Sequence, residues 1–355
     1  MNAEQTALAE PNGQVLNPRA ELFPTFVEGL NRAGIEYCLL SGYQNYPEAG
    51  EGDLDFMIHP ADTLKLPAAL NAVTRRARAQ LVQAMQHETS AWHFVLAKQS
   101  EGEVTYFHPD CTTDYRRAGR LWMRAEHVLA RRRRCGPFYV AAKPDEFLYY
   151  LIKKVLKREI AERHVWRLQD LYSAAAEECC EGMRRFWRAE TVRQATSAIL
   201  HCNVGDLQLL NSELHTELLG SAWVEGWGDR AARRVGELRR RWRRAMNPTG
   251  LGVTVWGGQV AERIVLAAAL QMKLRPAFRH SLLKGDATET VWPGEQLRYM
   301  RSTLVIRTAR KRPADGLTDR THCNVGAGAH DVGSATRSVL EYMAHRVRTR
   351  ELIGA

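Results

Sequence analysis

Asp53 and Asp55 are separated by one residue at the head of a short apolar run, Phe56-Met57-Ile58. On a strand, residues i and i+2 project to the same face, so the two carboxylates would stand side by side. Two hard oxygen donors held close suit Mg²⁺, which takes one or two carboxylates together with substrate phosphates and waters. Two such ions about 3.5–4 Å apart can activate an attacking oxygen and stabilise a leaving phosphate. Upstream, Gly42 follows the apolar run Ile35–Leu40 and begins a turn where backbone amides could approach a triphosphate closely. A spacer from Gln44 to Gly52 joins the turn to the aspartates. Asp-x-Asp alone also describes many solvated turns and strand ends; the strand, glycine turn and spacer before it add the specificity.

A bound triphosphate needs cations. Lys153, Lys154 and Lys157 lie on a strongly helical segment, and Arg116, Arg117 and Arg120 precede it. The commoner role of any one such residue is the solvated side of an amphipathic element. His93 and His108 fall on strand candidates and read as packed or edge histidines.

The elements that must position these groups follow from periodicity. Leu22, Phe23, Phe26, Val27 and Leu30 recur at helical spacing over 20–33, and Gly34 stops that helix. Strands are expected at 35–40, 53–58, 81–87, 92–97, 104–107 and 138–142, with a helix opened by Pro60 and running to Val73. Phe147, Leu148, Leu151, Ile152, Val155 and Leu156 mark a helix over 146–160, and helical patterns continue to Ala245 with breaks near Gly205 and Gly220. A boundary falls at Asn247–Gly250, followed by a strand at 251–256, Gly257-Gly258 and another helix.

The chain has 355 residues, 45% of them hydrophobic and 25% charged, a globular balance long enough for two domains. The longest clean apolar run, Ile264–Leu270, is too short to span a bilayer. The first twenty residues lack a signal-peptide pattern, so a soluble, cytoplasmic protein is expected. Seven cysteines show no CxxC pair, which fits free thiols and argues against structural zinc. The net charge of +10 is mostly arginine and points to an anionic partner or simply a basic surface.

Residues 36–58, EYCLLSGYQNYPEAGEGDLDFMI, resemble the signature of the nucleotidyltransferase superfamily with the DNA polymerase β-type fold: apolar strand, Gly-Ser, spacer, Asp-x-Asp. The resemblance implies a third carboxylate from a later strand that helps deprotonate the acceptor hydroxyl. Its candidate is Asp110 in TYFHPDCTTDY, so the implied metal ligands are Asp53, Asp55 and Asp110. Gly42, Tyr43, Lys153, Lys154 and Arg120 are the implied nucleotide contacts, with Mg²⁺ as cofactor and an NTP, ATP foremost, as donor. The stretches DYRRAGRLW and GPFYVAAKPDEFLYYLIKKVLK are similar to a bacterial branch of nucleotidyltransferase-like proteins associated with surface-polysaccharide genes. Two departures stand out. Tyr43 replaces the expected serine, with Ser41 before the glycine instead. Pro109 is ill-suited to a central strand, so Asp110 is expected at a strand end or edge, with Asp114 as a substitute.

NPTGLGVTVWGGQVAERIVLAAAL (247–270) looks like the opening of a thymidylate-kinase-like P-loop domain. Counted from Gly257, the lysine, hydroxyl and preceding glycine of a working loop are replaced by Arg263, Ile264 and Glu262. The segment reads as a degenerate or truncated remnant, or as an ordinary βα unit. The helix over 229–245 carries the apolar stripe Val235, Leu238, Trp242 and Ala245 among arginines. The expected outcome is that this stripe packs on its own domain; nucleic acid or an anionic membrane is the alternative.

The combined expectation is an α+β fold: a small mixed sheet with flanking helices, then a helical region and a short α/β C-terminal segment. Its divisions are 1–19 (a loose extension), 20–142, 143–246 and 247–355. The expected function is Mg²⁺-dependent nucleotidyl transfer to a small-molecule or carbohydrate-precursor hydroxyl or phosphate. An inactive nucleotidyltransferase-like regulatory protein and a basic nucleic-acid-binding module are the alternatives.

Overall fold

The computed structural model of this chain describes residues 18–44, 52–117, 120–221, 227–246, 249–284, 303–312, 322–328 and 331–347. Residues 1–17, the spacer over 45–51, and Asn247 with Pro248 lie outside the described residues.

Leu22, Phe26 and Leu30 share one side of helix α1 (Pro18–Arg32), and all three are fully buried. The chain then enters β1 (Tyr37–Ser41) and returns antiparallel as β2 (Leu54–Ile58). Where one helix was expected from Pro60, a 3-10 turn over Pro60–Lys65 precedes α2 (Leu66–Ala77). The break falls beside Pro67, which suits a helix's first turn and lacks the donor an interior position needs.

Next come β3 (Gln80–Glu88), β4 (Ala91–Ser100), β5 (Glu103–Phe107), β6 (Pro109–Thr112), the hairpin β7 (Tyr115–Arg117) and β8 (Arg120–Met123), helix α3 (Ala125–Ala130), β9 (Arg133–Cys135) and β10 (Phe138–Val140). The sequence pattern missed β6 to β9 and α3, because three to six residues give too short a window for periodicity. The main sheet runs β3-β4-β6-β2-β1-β10-β9, with β5 paired to β4. β1 with β10 and β2 with β6 are parallel pairs, and the rest are antiparallel. With its flanking helices this mixed sheet is an α+β fold.

Strand alternation sorts the side chains onto two faces. Leu39, Leu54, Phe56, Ile58, Phe94 and Cys111 belong to a core closed by α1 and α2. Cys38, Leu40 and Met57 point the other way. There they meet α4 (Lys143–Lys157), α5 (Glu162–Ser173), α6 (Ala176–Arg184), α7 (Ala189–Leu200) and α8 (Val204–Ser221). Helix α9 (Trp227–Met246) leads to the C-terminal segment.

That segment contains β11 (Leu251–Trp256), α10 (Val260–Leu274), β12 (His280–Lys284), β13 (Thr303–Ala309), β14 (His322–Gly326) and α11 (Val332–Arg346). Its sheet is parallel, in the order β12-β13-β11-β14. Val82, Val95 and Ala97, on the second face of the main sheet, share this segment's core. The Tyr106 hydroxyl donates to the Lys273 carbonyl at 2.9 Å and helps fix the contact. The second face is thus covered by helices at one side and by the C-terminal segment at the other.

Candidate active site

Burial of Leu54, Phe56 and Ile58 fixes the register of β2, since a one-residue slip would turn all three outward. Asp55 is therefore directed to the second face. Parallel pairing sets Asp55 opposite Asp110 and Leu54 opposite Pro109. Pro109 is tolerated because it is the first residue of β6. Asp110 stands near a strand end, as expected, but β6 is an inner strand between β4 and β2. Asp53 is exposed just ahead of β2.

Gly42 has φ +86°, and a Cβ there would lie 2.4 Å from the Asp53 carbonyl oxygen and 3.1 Å from Leu54 Cα. The end of β1 thus presses on the backbone that carries both aspartates. The Gly42 amide donates to Gln44 Oε1 at 2.9 Å. Tyr43, expected to contact nucleotide, turns its side chain inward: the hydroxyl donates to Glu146 Oε2 at 2.6 Å and the ring packs on Phe138. Glu146 is 1% exposed, and a buried carboxylate must be paired. Arg167 pairs with it, and the Gln44 amide donates to it at 3.3 Å.

Asp55, itself 5% exposed, gathers three donors. Lys153 Nζ lies 2.5 Å from Oδ2, and the Ser41 and Tyr149 hydroxyls also donate to this carboxylate. Tyr149 and Lys153 are one turn apart on α4, the ammonium 5.4 Å over the ring. Tyr149 was missed in the sequence; its signal is an i, i+4 pair with Lys153 at the border of the apolar stripe.

Lys154 points elsewhere. It lies 3.1 Å from His164 Nε2 and over the Tyr150 ring, away from the contact that Lys153 makes with Asp55. Burial, then neighbouring cations, brings Lys154 down to about 8 and His164 to about 4. Lys157 is exposed. Arg116, Arg117 and Arg120 lie on the β7–β8 hairpin, with Arg120 in register with Arg117. Arg120 Nη1 is buried with no hydrogen-bond partner among the described residues. Asp114 is not a substitute for Asp110, because its Oδ1 accepts the Ala125 amide at 3.0 Å and caps α3.

The Asp110 carboxyl is pushed well up, first by burial and then by Asp55; Lys153 opposes this, and Asp53 and Glu88 add to it. His87 Nε2 lies 3.7 Å from Asp110 Oδ1, but burial holds that imidazole down at about 4. At neutral pH this is a neutral ring beside a carboxyl, not an ion pair. His93 pairs in register with Asp110, and its imidazole is lowered by burial against the pull of Asp53 and Asp55. It belongs to the site's wall, a position its sequence context did not signal.

Among the described residues, no three His, Cys, Asp or Glu side chains are already gathered as a metal cage. The donors nevertheless fit Mg²⁺ by chemistry. Asp53, Asp55 and Asp110 are hard oxygens that repel one another. Mg²⁺ is commonly held by one or two carboxylates with the substrate's phosphates completing its shell.

A separate cavity of about 390 Å³ opens farther along α4, lined by Trp122, Met123, His127, Asp145, Leu148 and Phe186 among others. None of the three aspartates lines it. In the C-terminal segment, Gly257 and Gly258 have φ +75° and +64°. There Glu262 accepts the Gln259 amide at 2.8 Å, and buried Arg263 donates to the Gly258 carbonyl at 2.9 Å. Gln259 and Glu262 thus form a capping box at the start of α10.

No family model matches this chain, and no curated protein does either. Two solved structures are similar. JHP933 from Helicobacter pylori is 13% identical over 57% of this chain and 92% of its own, with a TM-score of 0.34. A candidate nucleotidyltransferase from H. pylori is 14% identical over 59% of this chain and 98% of its own, with a TM-score of 0.26. Likeness at this level carries no weight for function, which rests on the chain's own geometry. Among the described residues, no helix is long and apolar enough to cross a membrane.

Proposed function

We propose that residues 20–142 form a nucleotidyltransferase-type domain, supported by the helical region 143–246 and the α/β segment 247–355. It would move a nucleotidyl group from an NTP, ATP being the first candidate, to a hydroxyl or phosphate of a small molecule or carbohydrate precursor. The observation that carries this reading is the pairing of Asp55 with Asp110 across β2 and β6, with Asp53 one pleat away and Gly42 pressed against it.

In this reading Asp53 and Asp55 would hold Mg²⁺ jointly with the donor's phosphates. When bound, the ion neutralises phosphate charge and orients the phosphate oxygens. Lys153 adds positive charge beside Asp55 and is within reach of the same anion. The Gly42 turn allows close backbone approach. Asp110 would accept the proton of the acceptor hydroxyl.

A second reading is supported by the three donors already on Asp55: a nucleotide-binding protein without turnover. Calorimetric titration with ATP, GTP, CTP and UTP, with and without Mg²⁺, tests both. The expected result is Mg²⁺-dependent binding that disappears in Asp53→Asn/Asp55→Asn. Retained binding in that variant would sink the proposal. Binding without pyrophosphate release, across a panel of acceptors, would select the second reading.

A further inference from the structure

Helix α9 docks by an unexpected side. Arg240 Nη1 donates to the His87 carbonyl at 2.9 Å, and Gly236 approaches Thr89, where an added Cβ would lie 3.6 Å from its Cγ2. Arg244 reaches Met85 Sδ at 3.8 Å. These residues are four apart and define the face turned to the β3–β4 region. The apolar stripe expected to pack inward lies roughly opposite: Val235, Leu238 and Trp242 are 48%, 66% and 68% exposed. Ala231 and Ala245 continue it and are exposed too. At 100° per residue, Arg239 and Arg243 flank one edge of the stripe, Arg234 and Arg241 the other.

We infer that this face of α9 is a docking surface for an anionic lipid bilayer. The helix has eight arginines against Asp229 and Glu237, and Glu237 is engaged by Arg240 and Arg241. That charge selects an anionic partner and disfavours a second copy, which would set arginines against arginines. An apolar row between two basic rows suits the boundary between headgroups and acyl chains: Leu and Trp enter, and arginines meet phosphates. Twenty residues lying flat make a contact about 30 Å long. No bilayer crossing is needed. The inference is independent of nucleotide chemistry.

The test is co-sedimentation of the full chain with vesicles of phosphatidylcholine alone or mixed equally with phosphatidylglycerol. Binding is expected to the anionic vesicles, to be negligible on neutral ones, and to weaken with salt. Because the stripe is exposed, Leu238→Ser/Trp242→Ser should fold normally and lower partitioning roughly tenfold or more. Arg239→Glu/Arg243→Glu should do the same. Circular dichroism of each variant checks the fold. The inference is overturned by absence of anionic-vesicle binding, or by undiminished binding of the Leu238/Trp242 variant. It is equally overturned if poly(U) RNA binds and vesicles do not, or if light scattering shows a dimer that the stripe substitutions dissociate.

Discussion

Gly42→Ala is the sharpest probe of how the fold positions the aspartates. The added methyl would start 2.4 Å from the Asp53 carbonyl oxygen, whereas ordinary contact begins at 3.4 Å, so roughly 1 Å of separation is needed. Both sides are backbone, and β1 and β2 are held by their ladder, so no side chain can swing away. The residue also has φ +86°, which costs a non-glycine residue about 1–2 kcal/mol. Overpacking adds about 1–3 kcal/mol, for a total of about 2–5 kcal/mol. Gly34→Ala separates the two contributions, because Gly34 has φ +60° but nothing within 4 Å of its added methyl. Urea unfolding of both variants is expected to show Gly42→Ala as the costlier by the overpacking component. Titration with Mg²⁺–ATP is expected to show nucleotide binding lost in Gly42→Ala and kept in Gly34→Ala. Equal destabilisation and equal binding would refute the claim that this turn sets the aspartates' position.

Arg167→Met strands Glu146, which is 1% exposed, with only Tyr43 and Gln44 as donors; the expected loss is about 3 kcal/mol by urea denaturation. Arg167→Met/Glu146→Gln should recover part of it, and no recovery would show that the charge is not the cause. Lys153→Met leaves Asp55 with two neutral donors and is expected to cost about 2–4 kcal/mol and to weaken nucleotide binding about tenfold. Unchanged calorimetric affinity would remove Lys153 from the nucleotide site. Stability should fall on acidification, because His164 is held at about 4, first by burial and then by Lys154, against an ordinary 6.5. Between those values the unfolded chain binds the extra proton, so stability is full above pH 6.5 and declines toward pH 4, by about 3 kcal/mol at most. His164→Gln should flatten that slope in urea midpoints measured across the window; an unaltered slope would contradict it.

What the sequence made legible was local. The strand that carries Asp55, the helix stop at Gly34 and the turn at Gly42 each depend on a few neighbouring residues, and each stands close to where it was expected. The partnership of Asp55 with Asp110 needs the strand order, which a short inner strand beginning with proline does not announce. Lys153 and Lys154 could not be told apart by composition; a rotation of about 100° sends one to Asp55 and the other to His164. The stripe of α9 fails for a different reason. Periodicity shows which residues share a face, not which face docks, and here the Arg240 hydrogen bond to the His87 carbonyl and the close approach of Gly236 to Thr89 take the inner side.

Helix α4 explains why the two ends of the Gly42–Asp55 connection can act as one unit. Glu146, Tyr149 and Lys153 are spaced i, i+3 and i+7, so they form a single stripe toward the second face of the sheet. Glu146 holds Tyr43 and Gln44 just after the glycine turn, while Tyr149 and Lys153 hold Asp55 at the far end. The turn and the carboxylate are thus referenced to the same rigid rod and not only to each other. A kink in α4 would displace both. Sites built on helices and strands hold their geometry more closely than sites on loops. The polar stripe of α4 is what converts a loop-borne glycine and a strand-borne aspartate into one site.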